Sequence, residues 1–163
     1  MIQRVVKNAL KGRRFSSSID VGCGTGDGGV LARPHTNYLV GVDPNTSALR
    51  EAHRKEVYDE LYVGDMRNFP FDSADSVFMF DSLEHISKAE GYRLLEKIGH
   101  RFTMITTPWW STPVISDPSH KCVWSERELN EVGFSTLAYS FMPDFLMYII
   151  YGGIILGVRE RHV

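Results

Sequence analysis

The residues best placed to do chemistry are a run of glycines and four aspartates. Asp20-Val21-Gly22-Cys23-Gly24-Thr25-Gly26 closes an apolar segment on an acid and then sets glycine at every second position. That spacing lets a backbone approach a ligand closely and turn into a helix, where a Cβ would obstruct both. Asp43, Asp65 and Asp81 end three further apolar segments. In an open parallel sheet ligands bind beyond the carboxyl ends of the strands, so acids repeated there line one crevice. Any single Asp reads equally well as a turn or cap residue. Four in corresponding places favour a binding role.

Positioning those acids requires strands that alternate with helices. An amphipathic helix over 1–14 places Ile2, Val5, Val6, Ala9 and Leu10 on one face and Arg4, Lys7 and Lys11 mostly on the other, with a breaker at Gly12. Its basic face reads as solvated structure. A strand ends at Asp20, a short helix spans 27–32, and a second strand over 38–42 leads to Asp43. Pro44 and Asn45 open a helix with Ala48, Leu49 and Ala52 on its apolar face. Strands follow at 60–63 and 76–80, with a loop carrying Pro70 between them. Ser87 with Glu90, and Ser125 with Glu128, are capping boxes that start two more helices. The first carries the stripe Gly91, Leu94, Leu95 and Ile98 and stops at Gly99; Trp124 can staple the second against Leu129. A strand over 102–106 separates them, and strands near 135–141 and 154–159 suit an antiparallel pair at a sheet edge. Alternation of this kind predicts an α/β fold with a parallel sheet and crossover helices.

Composition narrows the class. With 163 residues, 43% of them hydrophobic, the chain suits one core, and a single domain over 1–163 is expected. Eighteen basic against 20 acidic side chains leave a net charge of -2, which gives no overall field for nucleic acid or an anionic membrane. The apolar run 145–158 is interrupted by Tyr148, Tyr151, Gly152 and Gly153 and is shorter than the roughly 20 residues of a membrane span. Two distant cysteines, Cys23 and Cys122, argue for a reducing, cytoplasmic setting over a disulfide framework, and no metal-ligand spacing is seen.

A dinucleotide loop needs its third glycine where the helix N-terminus meets the diphosphate. That position is Asp27, whose charge opposes a diphosphate. S-adenosylmethionine carries a sulfonium and an ammonium in place of phosphates, and strand-end acids suit it. On Asp20 to Gly26, Asp43 and Asp65 the chain resembles the class I S-adenosylmethionine-dependent methyltransferases. The resemblance covers roughly residues 15–160. It implies a three-layer αβα Rossmann-like sandwich, a mostly parallel seven-stranded sheet with an antiparallel C-terminal hairpin, and no large cap domain here. It implies that Asp20, Gly22, Cys23 and Gly24 floor the cofactor site, and that Asp43, beside Pro44, bonds the ribose hydroxyls. Asp65 then receives the adenine amino group, Met66 stacks on the adenine, and Asp81 and Ser82 contact the methionine end.

Methyl transfer from a sulfonium mainly requires alignment, with a base only where the acceptor must lose a proton. His85, within a Leu83-Glu84-His85 run similar to many members, and His120 are the catalytic candidates. Each also reads as a packing or loop residue. Trp109 and Trp110 follow Pro108 on the cofactor side and either stack on a planar acceptor or form a patch that a partner covers. Only about fourteen residues precede the first strand, so the cover of the site falls to the tryptophan loop, a second subunit or a large substrate. Asp81-Ser82-Leu83-Glu84 differs from the Asn/Asp-Pro-Pro-aromatic run of base amino-methylating members, and the Pro-Cys of cytosine-carbon methylation is missing, which disfavours nucleic acid. The leading expectation is an enzyme methylating an oxygen, nitrogen or carbon of a small molecule. The rivals are a non-catalytic subunit of the same fold, or a methyltransferase of protein or RNA working with a partner.

Overall fold

The computed structural model describes residues 2–99, 102–109, 118–140 and 153–160. In chain order these form α1 (Ile2–Ala9), β1 (Phe15–Val21), α2 (Asp27–Ala32), β2 (Thr36–Asp43), α3 (Thr46–Arg54), β3 (Glu60–Val63), β4 (Ser76–Phe80), α4 (Lys88–Ile98), β5 (Phe102–Trp109), α5 (Glu126–Glu131), β6 (Ser135–Ser140) and β7 (Gly153–Arg159). Two 3-10 turns, Arg33–His35 and Leu83–His85, follow α2 and β4. The seven strands make one sheet in the order β3-β2-β1-β4-β5-β7-β6. Pairings from β3 through β5 are parallel, whereas β7 runs antiparallel to both β5 and β6.

Strands buried on both faces explain the continuous apolar run of β4, Val77 to Phe80, and the threonine-interspersed apolar run of β5. Val77, Met79 and Ile105 point into a core shared with Leu94, Leu95 and Ile98 of α4 and Leu129 of α5. Their neighbours Phe78 and Met104 point the other way, onto Val6, Leu10 and Ala32 of the α1–α2 layer. The strand period of two thus divides one apolar run between two helical layers. Both capping boxes form, with the Ser87 and Ser125 side chains accepting from the amides of Glu90 and Glu128. Asn45 caps α3 by accepting from Ser47 and Ala48.

Several boundaries differ from the sequence reading. The N-terminal helix, expected over 1–14, ends at Ala9, because a turn through Gly12 at φ +77° breaks it before β1 begins at Phe15. β5 runs on to Trp109 because its extension pairs with β7 as far as Trp109 against Gly153. β2 begins at Thr36 and β1 ends at Val21, each lengthened by their mutual register, Phe15 against Thr36 through Val21 against Val42. Of the apolar run 145–158, the described part is strand, and residues 145–152 lie outside the described residues. Both cysteines are free. Among the described residues no helix is long and apolar enough to cross a membrane.

The sheet order fixes where a ligand can sit. The chain moves outward from β1 to β3, then crosses back to lay β4 on the other side of β1. A crevice opens beyond the carboxyl ends of strands at such a switch. Away from that crevice, at the amino end of β4, Ser18 and Ser76 share a buried hydroxyl hydrogen bond of 2.7 Å, which ties β1 to β4. On the opposite face Gly91 of α4 admits Trp124, since a Cβ on Gly91 would lie 2.5 Å from the indole Cζ2. Gly91→Ala should therefore lower stability by about 1–3 kcal/mol through overpacking, although the same change in an open helix stabilises. The urea midpoint gives the sign; an unchanged or raised midpoint would show that Trp124 yields freely.

Candidate functional site

β1 runs into the glycine loop, and β2 holds that loop. The amides of Gly22 and Cys23 donate to the Val42 carbonyl at 2.8 and 3.1 Å, and the Gly26 amide donates to the Cys23 carbonyl at 2.8 Å. Asp43 completes the clamp, one carboxylate oxygen accepting from the Gly24 amide at 2.9 Å and the other from the Asn45 amide at 2.8 Å. Gly24 has φ +52°, and a Cβ built on it would meet nothing within 4 Å. Its face is therefore open to a ligand.

A cavity of about 280 Å³ lies against this loop, with Gly22 to Thr25 and Gly28 on one side and Phe80, Asp81 and Thr106 on another. Gln3, Val6 and Leu31 close it from the α1–α2 layer. Its ionisable lining carboxylates are Asp27 and Asp81, and no lysine or arginine lines it among the described residues. Asp27 is ion-paired to Lys55, which with Thr25 holds its carboxyl below the usual range. Asp81 has φ +47°, a left-handed conformation uncommon outside glycine that aspartate adopts more readily than most residues. Its amide donates to the Thr106 carbonyl at 2.9 Å and its carboxylate accepts from the Thr106 hydroxyl at 3.2 Å. The carboxyl opens onto the cavity while protein atoms crowd it elsewhere. That loss of hydration raises its pKa, against the opposing pull of Thr106, His120 and His85.

Beneath the floor sits Asp20, only 1% exposed. One of its oxygens accepts a 2.6 Å hydrogen bond from the Tyr58 hydroxyl. The other has no hydrogen-bond partner among the described residues, and neither has the Ser82 hydroxyl. Burial pushes Asp20 up to about 7; the Tyr58 bond opposes the rise and the charge of Asp43 adds to it. The Tyr58 ring fits a slot left by small residues, because a Cβ on Gly29 would lie 2.3 Å from its Cζ and one on Gly41 2.9 Å from its Cε1. Cys23 is buried beside these acids, and burial with their charges pushes its thiol well up.

The remaining expected residues divide. Asp65 is engaged by Arg67, whose Nε donates to it at 2.8 Å and whose guanidinium also reaches Glu90 at 2.6 Å. Arg67 thereby holds the Asp65 carboxyl below the usual range. Met66 is buried under the loop, its methyl 3.3 Å from the place a Gly22 Cβ would take. Pro44 is exposed at the start of α3. Asp20 is thus under the cavity, and Asp43 and Asp65 are not among its lining residues; only Asp81 of the four strand-end acids faces it. His85 and His120 come together, their rings 4.9 Å apart and nearly perpendicular. Trp109 ends β5, its side chain outside the described residues, as is all of Trp110.

Three contributors escape a reading of the sequence alone. Tyr58 sits in the connection before β3 with no motif around it. Thr106 belongs to an apolar strand, and Glu84 reads as part of a helix start. The one available signal for Tyr58 was the glycines at 26, 29 and 41, which have no side chains because the ring occupies that space.

Residues 19–102, more than half of the chain, match the profile of the family described as "Methyltransferase domain". The chain belongs to that family. It is a class I S-adenosylmethionine-dependent methyltransferase. No curated protein matches the chain in sequence. Among solved structures it is similar to the YcgJ protein of Bacillus subtilis, with 15% identity over 98% of both chains and a TM-score of 0.70. It is also similar to a putative methyltransferase solved in complex with the Trm112 activator of Haloferax volcanii, at 17% identity, a TM-score of 0.74 and coverage of 95% and 86%. The DhpI structure solved with S-adenosylhomocysteine is a third, at 15% identity, 98% and 81% coverage and a TM-score of 0.69. At these identities the structures establish the shared fold.

The burial of Asp20 makes stability depend on pH, and the Tyr58 hydrogen bond moderates the effect. Because the folded-state pKa of Asp20 is raised, the folded chain keeps a proton that the unfolded chain loses between about pH 4 and 7. This group's contribution to stability therefore falls as pH rises through that window. Asp20→Asn should raise the melting temperature relative to the parent by more at pH 8 than at pH 5. Tyr58→Phe removes the donor and should lower stability by about 1–3 kcal/mol at pH 8. Equal melting shifts for Asp20→Asn at the two pH values would contradict the assignment.

Proposed function

We propose that this single-domain chain transfers the methyl group of S-adenosylmethionine to a small-molecule acceptor. The observation that carries the cofactor half is the cavity lining: an open glycine face, two carboxylates and no basic side chain among the described residues. Such a lining suits a ligand with cationic groups and opposes a diphosphate. The cofactor fits these residues. Its ammonium and sulfonium match Asp81 and the buried Asp20, whose second oxygen has no partner among the described residues.

In this reading Gly22, Cys23 and Gly24 present backbone to the adenosyl group, and Asp43, beside Pro44, takes the ribose hydroxyls. Asp65 and Met66 serve the adenine, and Ser82 joins Asp81 at the methionine end. When bound, the cofactor supplies an activated methyl carbon, so the chain mainly aligns the acceptor and excludes water. His85 and His120 stand on the acceptor side and can hold a proton released by the acceptor. Trp109 and Trp110, next after Pro108 in sequence, are the acceptor-contacting residues of this reading, since indoles suit a planar acceptor. The small-molecule half is supported by the net charge of -2 and by Asp81-Ser82-Leu83-Glu84, which lacks the Pro-Pro-aromatic run of base amino-methylating members.

A second reading, a catalytic or non-catalytic subunit that needs a partner, is favoured by one observation. The sheet ends on β3, and Tyr62 and Val63 on that edge strand are 45% and 65% exposed. An edge strand with exposed apolar side chains is an association surface, and the structural relative from Haloferax volcanii was solved with its activator.

S-adenosylhomocysteine at about 100 times its Kd should stabilise the chain by about 2.7 kcal/mol, read as a raised melting temperature. Asp43→Ala should weaken that binding without unfolding the protein. NAD should give no shift. Absence of a shift with S-adenosylhomocysteine, or a shift with NAD in its place, would overturn the cofactor assignment.

A further inference from the structure

Beside the cofactor cavity, the turn after β4 and the segment before α5 meet. We propose that Glu84, His85 and His120 form a site for a divalent transition-metal ion, and that the ion takes an oxygen of the acceptor as a further ligand. The first part stands on the cluster itself; the second rests on the methyltransferase reading above.

One ligand atom from each of the three residues lies within 4.8 Å of the others. Glu84 is 1% exposed, and a carboxylate so far from water needs compensating charge or donors. The Thr107 hydroxyl donates to its Oε2 at 3.2 Å. Its Oε1 faces His120 Nε2 at 4.0 Å, which is too long for a hydrogen bond. Two ligands on one ion with bonds of about 2.0–2.2 Å stand roughly 3–3.5 Å apart. A side-chain adjustment of about an ångström, small for rotatable groups, would bring this pair to that separation.

The scaffold does not depend on the side chains. The Glu84 carbonyl accepts from the amides of Lys121 and Cys122 at 2.8 and 3.3 Å, so the main chain alone joins the two segments. The Cys122 thiol adds a 3.2 Å contact to the Ile86 carbonyl. The Ser119 hydroxyl bonds one nitrogen of the His85 ring at 3.0 Å. Thr107 and Ser119 thus orient a carboxylate and an imidazole from outside, as outer contacts do around bound metals.

Donor type selects the ion. Two imidazoles and a carboxylate suit Zn²⁺, Co²⁺, Mn²⁺ or Fe²⁺ better than Ca²⁺, which prefers oxygen alone. Three protein ligands leave a position open, the arrangement of catalytic as opposed to structural sites. That position adjoins the cofactor cavity, because Asp81 and Thr106 line the cavity, the turn carrying Glu84 and His85 begins two residues after Asp81, and Thr107, which donates to Glu84, directly follows Thr106. An acceptor hydroxyl held there would be polarised by the ion; with their lone pairs on the ion, His85 and His120 then act as ligands and the proton-holding role given them above belongs to the metal-free site.

The test uses chelator-treated full chain titrated with Co²⁺, followed by visible absorption, and with Zn²⁺ by calorimetry. One ion per chain should bind, and His120→Ala and Glu84→Gln should each weaken binding at least about tenfold. Should Glu84→Gln fail to fold, His85→Ala, at a half-buried position, takes its place. S-adenosylhomocysteine should still raise the melting temperature of the folded variants, so loss of the ion and loss of the cofactor are read separately. Acetohydroxamate, a bidentate oxygen ligand, should change the Co²⁺ spectrum. No Co²⁺ or Zn²⁺ binding, or binding that ignores all three substitutions, overturns the site, and the cluster is then a hydrogen-bonded hinge only. A Co²⁺ spectrum unmoved by acetohydroxamate overturns the oxygen-ligand part.

Discussion

The site depends on the grip of β2 on the loop that leaves β1. Val42 takes two loop amides on its carbonyl, and the Asp43 carboxylate takes a third from Gly24. Without that grip, five residues with three positive φ angles would sample many conformations, because glycine restricts the backbone least. With it, the loop presents a fixed open face at the point where the sheet reverses its order. β4 contributes from the other side, and the Gly22 position is so close to Ser82 that a Cβ would lie 2.5 Å from the serine Cβ. Loop and post-β4 segment are therefore one surface, although 60 positions separate Gly22 from Ser82 in sequence.

Charge is arranged in depth around that surface. Asp43 is satisfied by two amides and serves structure in the free protein. Asp65 is held by Arg67, and Asp27 by Lys55. Asp81 alone of the strand-end acids opens onto the cavity, and Asp20 lies under it against Tyr58. A buried carboxylate with one unsatisfied oxygen lowers the stability of the folded chain above neutral pH. A cationic ligand overhead would relieve that cost, which links the strain of the free protein to what it binds.

The cluster beside the cavity is built by a different device. A 3-10 turn directly after β4 carries Glu84 and His85, and main-chain hydrogen bonds hold the segment of His120 against it. Chemistry-bearing side chains are thereby grouped without any helix or strand of their own.

Read by itself, the sequence determined the strands, the helices, the two capping boxes and the stripe Gly91, Leu94, Leu95 and Ile98, all of which are buried as their period requires. It also determined the fold class and the family motif, because periodicity, caps and the Asp-x-Gly-x-Gly-x-Gly spacing are properties of neighbouring residues. Only the tertiary structure decided which acids face the cavity, that Tyr58 fills the space of Gly29 and Gly41, and that Glu84, His85 and His120 meet. Those facts follow from strand order and from contacts between distant segments, and local spacing carries no record of either.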